Sequence, residues 1–136
     1  AEKIRLYREL DHITDDRRLA LFEKNLIDRF GPVPEATREL FDIVRMRWGC
    51  IELGFEKAIV KNGIMILKFI ENQHSAYYKS TVFGNILKIA TRPDSKFIFK
   101  QNNNKLSIVV RNIKNISEAT ANLCELAAKV HGEGVV

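Results

Sequence analysis

An α+β fold is the class this sequence predicts: N-terminal helices followed by two β-hairpin–helix units, with a mainly antiparallel four-stranded sheet. Three observations lead there. Residues 1–54 repeat apolar side chains at spacings of three and four, the period of an amphipathic helix. After Gly54 the period changes, and "EKAIVKNGIMILKFIE" holds two β-rich runs around Asn62-Gly63, a strong short-range hairpin signal. A second hairpin pattern and a further helix pattern follow, so the order is three helices and then β-β-α twice. Hairpin strands pair antiparallel, and the helices then cover a face of the sheet. The two β-β-α copies share no evident sequence signature.

The elements follow in order. Ile4, Tyr7 and Leu10, with Leu6 beside them, give a short amphipathic first helix. Thr14 can cap a second, whose first turn carries Asp15 and Asp16 where the helix dipole favours acids. Leu19, Phe22, Leu26 and Phe30 mark its buried face, with Phe30 as a core anchor. Gly31 suits the left-handed stop position and Pro32 forbids continuation. Pro34 suits the first turn of a third helix, which carries Leu40, Ile43, Val44, Arg47, Trp48 and Ile51 before Gly54 closes it. In the strand after Asn62-Gly63, Met65, Leu67 and Phe69 alternate with Ile64, Ile66, Lys68 and Ile70, so both faces are largely apolar and a central place is expected. Ser75 starts a helix through Tyr78, Val82, Phe83, Ile86, Leu87 and Ala90, with Gly84 as a weak point inside it. "KFIFKQ", an "NNN" turn and "KLSIVVRN" form the second hairpin. Asn115 and Glu118 form a capping box for the last helix, which carries Ala119, Leu123, Leu126, Ala127 and Val130 and ends near Gly132.

At 136 residues the chain is long enough to bury a core unaided, and one domain over residues 1–131 is expected, with 132–136 as a tail. The opening "AEKIRLYREL" is charged throughout and has no signal-peptide pattern. Its mid-helix character at Ala1 suggests a piece of a longer protein. No apolar run approaches the roughly 20 residues that cross a bilayer. Cys50 and Cys124 lie far apart in helical patterns, which predicts two buried, reduced thiols of an intracellular protein.

Charge is unevenly distributed. Residues 1–54 hold 10 basic and 11 acidic side chains, a net −1, whereas residues 55–136 hold 12 and 6, a net +6. A basic second half permits nucleic-acid contact, but its cations are scattered singly, as solvation of exposed faces requires. Phe97 and Phe99 alternate with Lys96, Ile98 and Lys100, superficially like a base-stacking sheet. The two rings share a face with the core, which leaves the lysines outward without an aromatic partner. Tyr77-Tyr78 places one ring toward the core and one outside.

No catalytic or metal constellation forms. There is no GxxxxGK[ST] loop and no GxGxxG after a strand. His12, His74 and His131 are widely separated, and "ENQH" at Glu71 to His74 reads as a solvated loop. Asp15-Asp16 reads as helix-terminal charge, with no further oxygen ligands clustered near it. No cofactor and no metal are expected.

Asp28 is the unusual residue. It stands in the last turn before Gly31, at the negative end of the helix dipole, where a cation is normally favoured. Asn25 lies three residues earlier on the same helix face. On these residues alone, Asp28 reads as a surface acid loosely paired with Lys24.

"KIRLYRELDHI", "NLIDRFGPVPEATRELFDIVRMR" and "LGFEKAIVKNGIMILKF" together resemble the C-terminal domain of the bacterial transcription-repair coupling factor, Mfd. That family shows an LYR-type first helix, matched by Leu6-Tyr7-Arg8, and an E-L-x-D-R-F-G-x-x-P block, matched from Leu26 through Pro34. Met46-Arg47 and Leu53-Gly54-Phe55 complete the match, which is specific over the first seventy residues and collinear beyond. The resemblance implies a noncatalytic, autoinhibitory C-terminal regulatory domain of a DNA translocase, found in the bacterial cytoplasm. The parent protein would bind ATP, DNA, RNA polymerase and the excision-repair protein UvrA, with its motor outside this segment. This domain would pack against the parent's UvrB-like module and cover the UvrA-binding surface. In the family pattern the Glu and Asp of E-L-x-D face arginines of that module, which makes Asp28 and Asn25 the interdomain residues here. This sequence departs from the pattern at Asn25, which accepts a hydrogen bond but carries no charge. The alternative reading is a nucleic-acid-binding accessory domain that uses the basic second half.

Overall fold

The computed structural model describes residues 2–132, with side chains from residue 5 onward. Three helices come first: α1 (Glu2–Asp11), α2 (Asp16–Phe30) and α3 (Glu35–Leu53). Strands β1 (Phe55–Lys61) and β2 (Ile64–Phe69) follow, then a 3₁₀ turn (Ala76–Lys79) and α4 (Thr81–Ala90). Strands β3 (Ile98–Asn102) and β4 (Lys105–Arg111) lead into α5 (Ile116–Gly132). This is the α+β order expected. The expected tail after Gly132 and the Ile4 side chain lie outside the described residues.

The sheet runs β1-β2-β4-β3, with every neighbouring pair antiparallel. Both hairpins close with two residues in the left-handed region: Asn62 and Gly63 at φ 51° and 78°, then Asn103 and Asn104 at 51° and 68°. That is the turn whose twist suits adjoining strands, and Asn and Gly are the residues that tolerate it. The first asparagine of "NNN" is therefore the last residue of β3. β2 is central, as its two apolar faces imply. Met65, Leu67 and Phe69 are buried on the helical side, where they meet Ile108 and Val110 of β4.

α3 joins two cores. Its Met46, Cys50 and Leu53 enter the larger one, with β2, β4, α4 and α5. Phe41 and Val44 enter a smaller one, with Leu10 of α1 and Leu19 and Leu26 of α2. The single stripe read from Leu40 to Ile51 is thus corrected. A helix clamped from two sides needs two stripes, and Ile51 falls between them, 73% exposed.

Several local assignments also change. Asp15, not Thr14, caps α2, accepting the Arg18 N–H at 2.8 Å. The Ser75–Ala90 helix is broken at Ser80, whose backbone is extended and whose hydroxyl accepts the Phe83 N–H at 3.2 Å to start α4. Tyr77 and Tyr78 cause the break. Both are partly buried against the core, with their hydroxyls donating to the carbonyls of Leu53 and Ile70, so neither ring is simply outside. Asn115 accepts the Glu118 N–H at 2.9 Å, but Glu118 reaches back to Lys114 N–H instead of Asn115. Cys50 is buried and free, whereas Cys124 is free but exposed, because it falls outside the stripe of Ala119, Leu123, Leu126 and Val130 that α5 buries. Phe97 and Phe99 pack on the core side as expected. Lys96 is not without a ring, since its Nζ sits 5.6 Å from the Phe97 centroid and 2.6 Å from Glu125.

Candidate functional site

α2 is held down along one side and presents the other. Its inner side chains Leu19 and Leu26 are buried, and Phe22 meets Phe41 edge-on at 6.1 Å. Polar contacts fix its position over α3: Arg45 to Asp16 at 3.1 Å and Arg38 to Glu23 at 3.6 Å. The linker from α1 is pinned by Trp48, whose indole N–H donates to the Ile13 carbonyl at 3.1 Å, and Arg47 reaches Asp11 at 3.4 Å. These contacts set the rotation of the helix, and the rotation decides what faces outward.

At 100° per residue, Leu21, Asn25 and Asp28 fall within an arc of about 60° on the outer side. All three are exposed, and Leu21, at 58%, is an apolar side chain with no core to enter. Asn25 and Asp28 border a shallow depression of about 250 Å³ shared with Glu9, Arg29 and the edges of Leu6, Phe22 and Leu26. Asp15, Asp16 and Glu23 each have a cation or N–H partner. The Asp28 carboxylate has no hydrogen bond or ion pair among the described residues, and the pairing with Lys24 is not made. An acid at a helix C-terminus costs about 0.3–1 kcal/mol, and nothing among the described residues offsets it.

Asn25 and Asp28 are therefore together on one outward face, as their spacing implies. Phe30 is a correction: it is 58% exposed, with the Arg29 guanidinium 4.9 Å from its ring centroid. As the last helical residue it lies past the supporting turn of α3. It flanks an apolar cavity of about 380 Å³ formed with Tyr7, Leu10, Pro32 and Val33. Leu21 was not picked out from sequence. The signal was available, because a leucine out of phase with Leu19, Phe22 and Leu26 must face away from the core.

The other candidate groups stay apart. His131 pairs with Glu52, while His74 lies in the turn where Asn72 accepts its backbone N–H at 3.0 Å. Among the described residues no group of three or more His, Cys, Asp or Glu side chains could hold a metal ion. No described helix is long and apolar enough to cross a membrane.

Comparison with known proteins bears on the family and the fold. Residues 1–80, which include the whole of α2, match the family model of the TRCF domain. The transcription-repair-coupling factor of Rickettsia bellii is 33% identical over 101 residues, covering 71% of this chain and 9% of the relative. That of Rickettsia conorii is 30% identical over 102 residues, covering 73% and 9%, and that of Rickettsia prowazekii 28% over 116 residues, covering 85% and 10%. The chain thus spans about a tenth of the length of these relatives. In structure it is similar to a crystallised C-terminal domain of a transcription-repair coupling factor, with a TM-score of 0.74 at 18% identity, over 96% of this chain and 80% of that one.

Proposed function

The chain belongs to the TRCF domain family of transcription-repair coupling factors, and from that premise we propose that it is a noncatalytic regulatory domain that holds its parent protein in a resting state. The parent is a DNA translocase that acts on stalled RNA polymerase and recruits UvrA. In the resting state this domain docks through the outer face of α2 onto the parent's UvrB-like module and covers the surface that UvrA uses. Engagement of polymerase or DNA separates the two and exposes that surface.

The observation that carries this reading is Asp28, an exposed carboxylate without a partner among the described residues, on a helix whose other acids are engaged. A guanidinium from a neighbouring module supplies what the position lacks. A charge-assisted hydrogen bond contributes about 1.5–3 kcal/mol, more than the dipole penalty. Asn25 stands beside Asp28 as a neutral acceptor, and Leu21 supplies apolar contact one turn earlier. Such an arrangement suits a modest interface that must open.

The test is a titration of this chain against the separately expressed UvrB-like module, with UvrA as competitor. Binding displaced by UvrA is expected, and Asp28→Ala should weaken it about 10- to 100-fold. Failure of the two to bind, or equal affinity for the variant, overturns the reading.

A further inference from the structure

One whole face of the sheet is left uncovered by the described residues. α3, α4 and α5 pack on the side of Met65, Leu67, Ile108 and Val110. Strand register places a different set on the other side. Ile59 opposes Ile66, Ile66 opposes Val109, and Val109 opposes Ile98, so one row of branched aliphatics crosses all four strands. At about 4.8 Å between strands the row is about 14 Å long. All four side chains are half-buried.

Cations border the row on both sides. Two residues along the strands in one direction come Lys57, Lys68 and Lys100, and in the other Lys61 and Arg111. Each bordering row lies about 7 Å from the apolar one. None of these five cations has an ion pair among the described residues, although Arg38, Arg45, Arg47 and Lys96 on the helical side are all paired. Two acids stand at one end, where Glu56 and Glu71 border the depression that also holds Lys57 and Lys68.

We propose that this sheet face is a second docking surface, and that its occupant is an acidic amphipathic protein segment. An apolar centre inside a charged rim is the anatomy of a protein interface. The unpaired cations select a partner whose apolar stripe is flanked by Asp and Glu. Nucleic acid fits less well, for two reasons. Bases stack on aromatic rings, yet Phe55, Phe69, Phe97 and Phe99 all belong to the opposite, helical side. A phosphate backbone crossing the sheet would also be stripped of water over the isoleucine row, where no cation receives it. A second copy of this chain is disfavoured by the shared net charge of +5. The surface is separate from α2, so its test does not depend on the Asp28 interface.

The experiment is an amide chemical-shift titration of this chain with a short amphipathic helical peptide of leucine and glutamate, run beside mixed-sequence duplex DNA. The peptide should shift amides of β1, β2 and β4 on the open-face positions. Lys57→Glu/Lys68→Glu and, separately, Ile66→Ser should each weaken it at least about tenfold, with the amide spectrum of the helical side retained in both. A peptide in which lysine replaces glutamate should bind the charge-reversed variant better than the original chain. Shifts confined to the helical side, no binding, equal affinity for all variants, or tighter binding of DNA at the same positions would each overturn the proposal.

Discussion

Gly54→Ala should be among the most damaging single-methyl additions in this chain. Gly54 ends α3 with φ 83° and ψ 28°, and its N–H donates to the Cys50 carbonyl at 2.9 Å. A side chain in that left-handed conformation costs roughly 1–2 kcal/mol. The larger effect is contact, because a Cβ on Gly54 would lie 2.1 Å from Tyr77 Cε1 and 2.6 Å from Cζ. The ring has to move, and its hydroxyl then loses the 2.5 Å bond to the Leu53 carbonyl, about 1 kcal/mol. Its packing on Tyr78 and Phe83, at centroid distances of 5.4 and 5.6 Å, is disturbed too, at about 0.5–1.5 kcal/mol for each pair. Together these give about 3–6 kcal/mol, a large part of the 5–15 kcal/mol typical of a domain. Urea unfolding followed by circular dichroism measures it, with Tyr77→Ala and the double variant completing a cycle. In the Tyr77→Ala background the same glycine substitution should cost only the backbone share, about 1–2 kcal/mol. Equal costs in both backgrounds would refute the collision argument.

Two further outcomes rest on side-chain hydrogen bonds to backbone carbonyls, those of Tyr77 and Trp48. Burial, and secondarily the neighbouring Tyr78, push the Tyr77 phenol well above its ordinary value near 10. The unfolded chain therefore releases that proton first, so stability is complete below about pH 10 and falls as pH rises beyond it. Tyr77→Phe should lower stability at neutral pH by about 1 kcal/mol and flatten the alkaline decline, read as urea midpoint against pH; an unchanged slope would contradict this. Trp48→Phe removes the bond to the Ile13 carbonyl and should speed amide exchange in α1 and α2 while leaving β2 and β4 protected; uniform loss of protection would show that the two cores do not open separately.

The sequence conveyed the fold well where one local rule governed. Asn62-Gly63 marked its hairpin, Gly31 and Gly54 marked helix ends, and β2 announced a central place by having two apolar faces. It misled where a residue answers to partners distant in the chain. Phe30 looked like core by phase but lies beyond the end of its support, and Ile51 falls between the two clamped faces of α3. Ser80 breaks a helix that periodicity ran through, because Tyr77 and Tyr78 are tied to carbonyls outside it. At the candidate site, the spacing of Asn25 and Asp28 was readable, and so was the dipole mismatch. The exposure of Leu21 depends on how α2 is rotated over α3, which Arg38 and Arg45 help to set.

The most direct measurement of the docking account uses the intact parent protein with Asp28→Ala as its only change. Resting ATPase rate and UvrA affinity should both rise, since the surface under this domain is exposed more of the time. An intact protein whose ATPase and UvrA affinity are the same with and without the carboxylate would contradict a role for α2 in holding it closed.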